Sequence, residues 1–83
     1  MEITVYPNPS RDIATFTIEG LELSETLTFR LYSSSGQLLR QQQHRGAGFD
    51  FGRGELSEGL YFYTLETAEG LLGSGKLILL GSK

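Results

Sequence analysis

The chain has 83 residues with seven basic and ten acidic side chains, and its net charge is -3 at neutral pH. This length provides for one modest hydrophobic core, and because cysteine is absent, neither disulfides nor thiolate-bound metals can supplement it. The acidic balance argues against a nucleic-acid partner, and no apolar run approaches the roughly 20 residues that span a bilayer, so no membrane insertion is expected.

Apolar side chains alternate with polar ones along most of the chain, as half-buried β-strands require. In ATFTI the inward set is Ala14, Phe16 and Ile18, and in LTFRLY it is Leu27, Phe29 and Leu31. In chain order, strands are predicted at Glu2 to Tyr6, Ala14 to Ile18, Leu27 to Tyr32, Gln37 to Gln41, Phe49 to Phe51, Leu60 to Thr67 and Lys76 to Leu80. Turns rich in glycine and serine separate them, among them SSSG at residues 33–36 and GSG at residues 73–75. This spacing predicts an all-β fold, an immunoglobulin-like antiparallel β-sandwich of about seven short strands.

The segment VYPNP follows the first predicted strand. Pro7 and Pro9 carry no N–H, and each proline disfavours helical backbone at the preceding residue. Asn8 is predicted to cap the following turn by accepting a hydrogen bond from the N–H of Ser10. We interpret the segment as a strand terminator and edge protector.

A second local signal is LSEGLY, in which Tyr61 follows Gly59 by two residues at the start of an apolar strand. This spacing predicts a tyrosine corner, in which the hydroxyl binds backbone a few residues upstream. A tyrosine corner stabilises a sandwich and implies no chemistry.

Catalytic groups are scarce. The single histidine, His44, lies in the polar run RQQQHR and is predicted to be exposed on an edge strand or loop. No strand-turn-helix elbow accompanies the serines, and no helix follows the glycines to bind an anion. We therefore expect no catalytic residue, no metal ligand and no cofactor.

Four motifs occur in the order YPNP, LYSSSGQLL, LSEGLYFYTL and GKLILL. In this order and spacing, from about Val5 to Leu80, the chain resembles the type A C-terminal sorting domain of the type IX, or Por, secretion system. The resemblance implies that residues 1–83 are a single C-terminal sorting domain of a larger secreted or cell-surface protein from a Gram-negative bacterium. It also implies that the cargo reaches the periplasm by an N-terminal signal and that the folded tail then directs passage through the outer membrane. A sortase usually removes the tail and can attach the cargo to the cell surface.

The resemblance also implies particular residues and partners. The sorting-motif positions are Tyr6, Pro7, Asn8, Pro9, Gly36, Gly59, Tyr61, Lys76, Leu77, Ile78 and Leu79, and the middle motif further includes Leu31, Tyr32, Leu38 and Leu39. The chain departs from the pattern at Ser33 or Ser34, where an aspartate is common, and residues 81–83 extend past the usual end. The expected partners are the cargo and the outer-membrane translocon, shuttle and sortase proteins. Edge strands allow a weak homodimer.

An address that is read on a folded protein needs a surface that a receptor can grip, for example by strand addition. We expect the last strand, Lys76 to Leu80, with its neighbouring edge, to be that surface, because its apolar residues fall on both faces. A strand buried between two layers has the same pattern.

Two other functions remain open on the residues alone. One is a carbohydrate-binding or spacer sandwich of an extracellular enzyme, with a sugar platform drawn from Tyr6, Tyr32, Tyr61 and Tyr63. The other is a small cytoplasmic enzyme, since the start MEITVYPN lacks the pattern of a secretory signal; the missing catalytic groups disfavour it.

Overall fold

The computed structural model describes residues 2–22 and 24–81, and these form seven strands without a helix. The strands are β1 (Glu2–Tyr6), β2 (Ile13–Glu19), β3 (Thr26–Ser33), β4 (Leu38–Arg45), β5 (Gly48–Gly52), β6 (Gly59–Thr67) and β7 (Gly70–Leu79). The predicted all-β class and the number of strands are confirmed.

The strands form two antiparallel sheets that face each other across one core. The smaller sheet has the order β1-β2-β5 and the larger has the order β4-β3-β6-β7. This is an immunoglobulin-like sandwich in which the fourth strand pairs with β3 in the larger sheet. Its longest dimension is 37 Å, against 22 and 18 Å across.

The alternation seen in the sequence builds the core. All six inward residues predicted on β2 and β3 have no solvent exposure: Ala14, Phe16, Ile18, Leu27, Phe29 and Leu31. The ring of Phe16 lies at the centre, with centroids 5.0 Å from Phe29, 4.9 Å from Phe49 and 5.1 Å from Tyr63. Rings from both sheets thus interlock, at separations that favour aromatic pairs.

The fourth strand is longer than predicted. It continues through the polar residues to Arg45. The pairing with β3 is made by backbone hydrogen bonds, so a strand at the edge of the sheet can form without apolar side chains. His44 does lie on this edge strand, as predicted. It is half-buried instead of exposed, because its ring stacks on Phe49 with centroids 4.1 Å apart.

The last strand begins at Gly70, so the prediction of a turn at residues 73–75 is wrong. Two glycines occupy inward positions there because other side chains fill their space. A Cβ at Gly73 would lie 2.6 Å from Cδ1 of Ile3, and one at Gly75 would lie 2.6 Å from the hydroxyl of Tyr63. Glycine within a strand often marks such a close approach, and composition alone cannot distinguish this from a turn.

We expect Gly75→Ala to lower the free energy of unfolding by about 1 to 3 kcal/mol, the usual cost of overpacking a core. The Tyr63 ring cannot easily retreat, since the added methyl would also lie 2.8 Å from Cζ and 3.0 Å from Cε2. Urea denaturation of the purified chain measures the change. Ser74→Ala on the exposed side of the same strand is the control and should be nearly neutral. Equal stability of the two variants would contradict the packing described.

Burial also raises the pKa of the Tyr63 hydroxyl above its ordinary value of 10.0. The folded state therefore holds this proton to a higher pH than the unfolded chain does. The resulting stability is complete below about pH 10 and is lost as the pH rises through the unfolded value towards the folded one. We expect the unfolding free energy to fall above pH 10 less steeply in Tyr63→Phe than in the unchanged chain. Identical alkaline profiles would contradict the assignment.

The chain enters and leaves the described sandwich at opposite ends of its long axis. Glu2 pairs with Glu19 at one end, which also holds the turn between β6 and β7. At the other end, Arg53 binds the backbone of both Asp12 and Leu80. We call these the entry pole and the exit pole.

Candidate functional site

Residues 7–10, which we call the strap, cross from the end of β1 to the outer edge of β7. The N–H of Ser10 donates to the carbonyl of Ile78 at 2.9 Å, and the N–H of Leu80 donates to the carbonyl of Ser10 at 2.8 Å. Ser10 thereby forms a parallel bridge with Leu79 and is almost fully buried. The strap joins the two sheets by adding a short parallel segment to the edge of β7.

The Asn8 side chain continues this pairing. Its Nδ2 donates to the carbonyl of Lys76 at 2.8 Å, and its Oδ1 accepts from the N–H of Ile78 at 3.0 Å. The carboxamide therefore acts as a peptide group would in a neighbouring strand. The predicted cap onto Ser10 is wrong, because the Ser10 N–H binds the carbonyl of Ile78.

The prolines terminate β1, which ends at Tyr6 directly before Pro7, as predicted. Both proline peptide bonds, Tyr6–Pro7 and Asn8–Pro9, are cis. Pro7 and Pro9 are exposed and have no N–H, so they offer no donor to a further strand. The edge that this segment protects is that of β7.

This pairing changes the expected mode of recognition at the last strand. The carbonyls of Lys76 and Ile78 and the N–H groups of Ile78 and Leu80 are already bound to the strap. A partner strand can therefore not add to the edge at residues 76–80 while the strap is in place. What remains accessible there is side chain: Lys76 and Ile78 point to solvent, whereas Leu77 and Leu79 are buried in the core.

We expect Asn8→Ala to leave the strap partly attached. Loss of the side chain removes the acceptor for the Ile78 N–H, whereas the Leu80 N–H keeps its bond to Ser10. Amide hydrogen exchange should accelerate at Ile78 much more than at Leu80, and the unfolding free energy should fall by about 1 kcal/mol. Asn8→Asp, which keeps an acceptor for Ile78 but cannot donate to Lys76, is the control. Unchanged exchange at Ile78 would contradict the pairing.

A buried arginine that the sequence did not single out fixes the exit pole. The Arg53 side chain is 8% exposed. Its Nε and Nη2 donate to the carbonyl of Leu56 at 3.1 and 3.0 Å, and its Nη1 donates to the carbonyls of Arg11 and Leu80. One guanidinium thus connects three segments: Arg11 directly after the strap, the loop after β5 and the end of β7. The flanking glycines in GRGEL resemble an ordinary loop, and no sequence signal identified this role.

The other positions predicted to carry the sorting motif lie in turns and strands of the same pole. Gly36 has a φ of 94° in the turn between β3 and β4, where a side chain would be strained. The Tyr61 hydroxyl donates to the carbonyl of Ser57 at 2.6 Å, which confirms the tyrosine corner. In the register of β6 and β7, Gly59 is opposite Leu79 and Tyr61 is opposite Leu77. Segments far apart in sequence therefore converge at the exit pole.

Charged groups on the outer face of the larger sheet are paired at its middle. Arg30 Nη1 lies 2.8 Å from Glu66 Oε2, and Arg30 Nε donates to Gln41 at 3.1 Å. The hydrogen bond with Glu66 raises the pKa of Arg30, which is already far above neutral. Within residues 2–22 and 24–81, no three histidine or carboxylate side chains are grouped so that they could hold a metal ion. The same residues include no helix with the length and apolar character to cross a membrane.

These observations define the class of protein as a small antiparallel β-sandwich of two sheets. A family model described as a secretion system C-terminal sorting domain matches residues 4–79. The chain therefore belongs to the family of type IX secretion C-terminal sorting domains. Membership implies a cargo on the N-terminal side that is secreted or displayed on the cell surface, and the type IX machinery as partner. None of the curated proteins matches the chain.

Proposed function

We propose that residues 1–83 form one C-terminal sorting domain, cut from a larger protein, which addresses a cargo in the periplasm to the outer-membrane translocon. Shuttle and sortase proteins are its further partners, and the sortase removes the tail and attaches the cargo to the cell surface. The domain itself performs no catalysis. The observation that carries this proposal is the family match over residues 4–79.

The geometry supports different roles for the two poles, with the cargo attached at the entry pole and the receptor bound at the exit pole. A cargo on the N-terminal side would join next to Glu2 at the entry pole. The motif positions on the strap, on β7 and around Tyr61 are gathered towards the exit pole. A receptor can thus reach these residues without meeting the cargo.

A transport assay tests the proposal. A signal peptide, a fluorescent cargo and a short linker are placed before residues 1–83 and expressed in cells with and without a working type IX machine. We expect the cargo outside the cells only when the machine works. Cargo retained in the periplasm of both strains, with the tail folded, would contradict the proposal.

The tyrosines do not favour the carbohydrate-binding alternative. Tyr61 and Tyr63 are each 6% exposed, so their faces cannot stack on a sugar. Tyr6 is exposed on β1 and Tyr32 is half-buried on β3, and these strands belong to different sheets. The four rings therefore do not form a common exposed platform.

A further inference from the structure

Apolar side chains form a continuous band across the outer face of the larger sheet. In the strand register, Tyr32 is opposite both Leu38 on β4 and Phe62 on β6, and Leu60 on β6 is opposite Ile78 on β7. Directly opposed residues are neighbours on the same face of a sheet. We call these five residues, with Lys76 opposite Phe62, the outer band.

The outer band is accessible to a partner. Leu38 is 48% exposed, Leu60 and Ile78 are each 39% exposed, and Phe62 is 36% exposed. On its entry-pole side the band gives way to polar residues, because Thr64 is opposite Arg30 in the next outward row. An apolar centre with a polar rim is the usual anatomy of a protein interface.

The charge of the band indicates what kind of surface would cover it. Lys76 is exposed beside Phe62, and the band contains no carboxylate. A second copy of this chain would therefore bring another ammonium group to the interface and no opposite charge from its own band. A different protein can present a carboxylate to Lys76 and apolar side chains to the rest.

The position of the outer band keeps it accessible to a partner while the cargo is attached. It lies towards the exit pole, away from the entry of the cargo, and on the face opposite to the smaller sheet. The strap occupies the neighbouring β7 edge, so a partner there meets a face of side chains and not an open strand. The band thus stays accessible in a folded tail with its cargo attached.

We propose that the outer band is the docking surface for a protein component of the export machinery, which presents an apolar patch with a carboxylate placed to meet Lys76. This inference rests on the proposed sorting function. It assigns binding to Leu60 and Phe62 on β6 and to Tyr32 and Leu38 at the far side of the sheet, as well as to the last strand.

The test uses the same transport assay with matched variants of the tail. Leu60→Thr, Phe62→Thr and Ile78→Thr, combined, remove the apolar centre at outward positions where threonine suits a strand. We expect the exported fraction to fall about tenfold or more, because hot spots of an interface are aromatic and aliphatic side chains at its centre. Lys76→Glu should reduce export similarly, and Lys76→Met should reduce it less.

The control removes apolar surface elsewhere. Ile13→Thr and Leu71→Thr, combined, change side chains that are 52% and 65% exposed and lie outside the band. These should leave export unchanged, and thermal unfolding of every purified variant verifies that it is folded.

The outcomes separate the two proposals. Export of the folded band variant at the unchanged level, or equal loss in the control, would overturn the docking surface while the machine-dependent export of the unchanged tail still stands. Retention of the unchanged tail in both strains would instead overturn the sorting function and with it this inference.

Sedimentation velocity of residues 1–83 tests whether the partner is a second copy of the chain. A dimer that the band variant converts to a monomer would show that the band binds a second copy, and would overturn the proposal of a different protein as partner.

Discussion

Arg53→Ala is expected to lower the free energy of unfolding by about 3 kcal/mol or more, because three buried or half-buried carbonyls lose their donor at once and each unmade bond costs about 1 to 3 kcal/mol. The carbonyls belong to Arg11, Leu56 and Leu80, in three separate segments of the exit pole. Urea denaturation of the purified chain measures the loss. The amide protons next to Arg11 and at the end of β7 should also exchange faster.

Two further variants isolate the cause of this loss. Arg53→Lys keeps the charge but lacks the planar group that reaches several carbonyls together, so an intermediate loss is expected. Arg45→Ala removes an exposed arginine from the edge strand β4 and should be nearly neutral. A loss below about 1 kcal/mol for Arg53→Ala would show that water replaces the guanidinium, and would contradict its role as the tie of this pole.

Phe16→Ala is expected to cost about 3 to 5 kcal/mol, the usual range for removing a buried phenylalanine ring. Phe16 has no solvent exposure and contacts rings from both sheets. A domain of 83 residues has a total stability of about 4 to 12 kcal/mol, so this loss removes between about a quarter and all of it. Circular dichroism and thermal unfolding measure the result.

The same variant links stability to function. If the address is a folded surface, export by the Phe16→Ala tail should fall in proportion to the folded fraction that circular dichroism measures, although its motif residues are unchanged. Ile13→Ala on the outer face of the same strand is the matched control and should be exported normally, since that side chain is 52% exposed. Normal export of a Phe16→Ala tail that circular dichroism shows to be unfolded would instead show that a linear motif is read.

The elements predicted best are those with one face to the core and one to solvent. On β2 and β3 every second residue is apolar, and the structure buries that set completely. The tyrosine corner was also predictable, because Gly59 and Tyr61 are close in sequence and the bond to Ser57 is local. Period and local spacing carry this information without knowledge of distant contacts.

What the sequence did not reveal depends on contacts between distant segments. Asn8 binds β7 across 68 and 70 positions of sequence, so its local preference for a turn suggested the wrong partner. Gly75 resembles a turn residue in the sequence, but it is glycine because the ring of Tyr63 fills the space of a side chain there. Arg53 cannot be distinguished from the other arginines in the sequence, because its role depends on three carbonyls that only the fold brings around it. The site is built by this convergence, which no local window contains.

Competition in the periplasm tests most directly whether the folded sandwich is an address for a saturable receptor. Residues 1–83 behind a signal peptide, without cargo, are co-expressed with the fluorescent cargo that carries the same tail, and the exported fluorescence is measured. We predict that the free tail lowers export as its level rises, and that the combined Leu60, Phe62 and Ile78 variant at the same level does not. Undiminished export in the presence of abundant, folded free tail would contradict this mechanism.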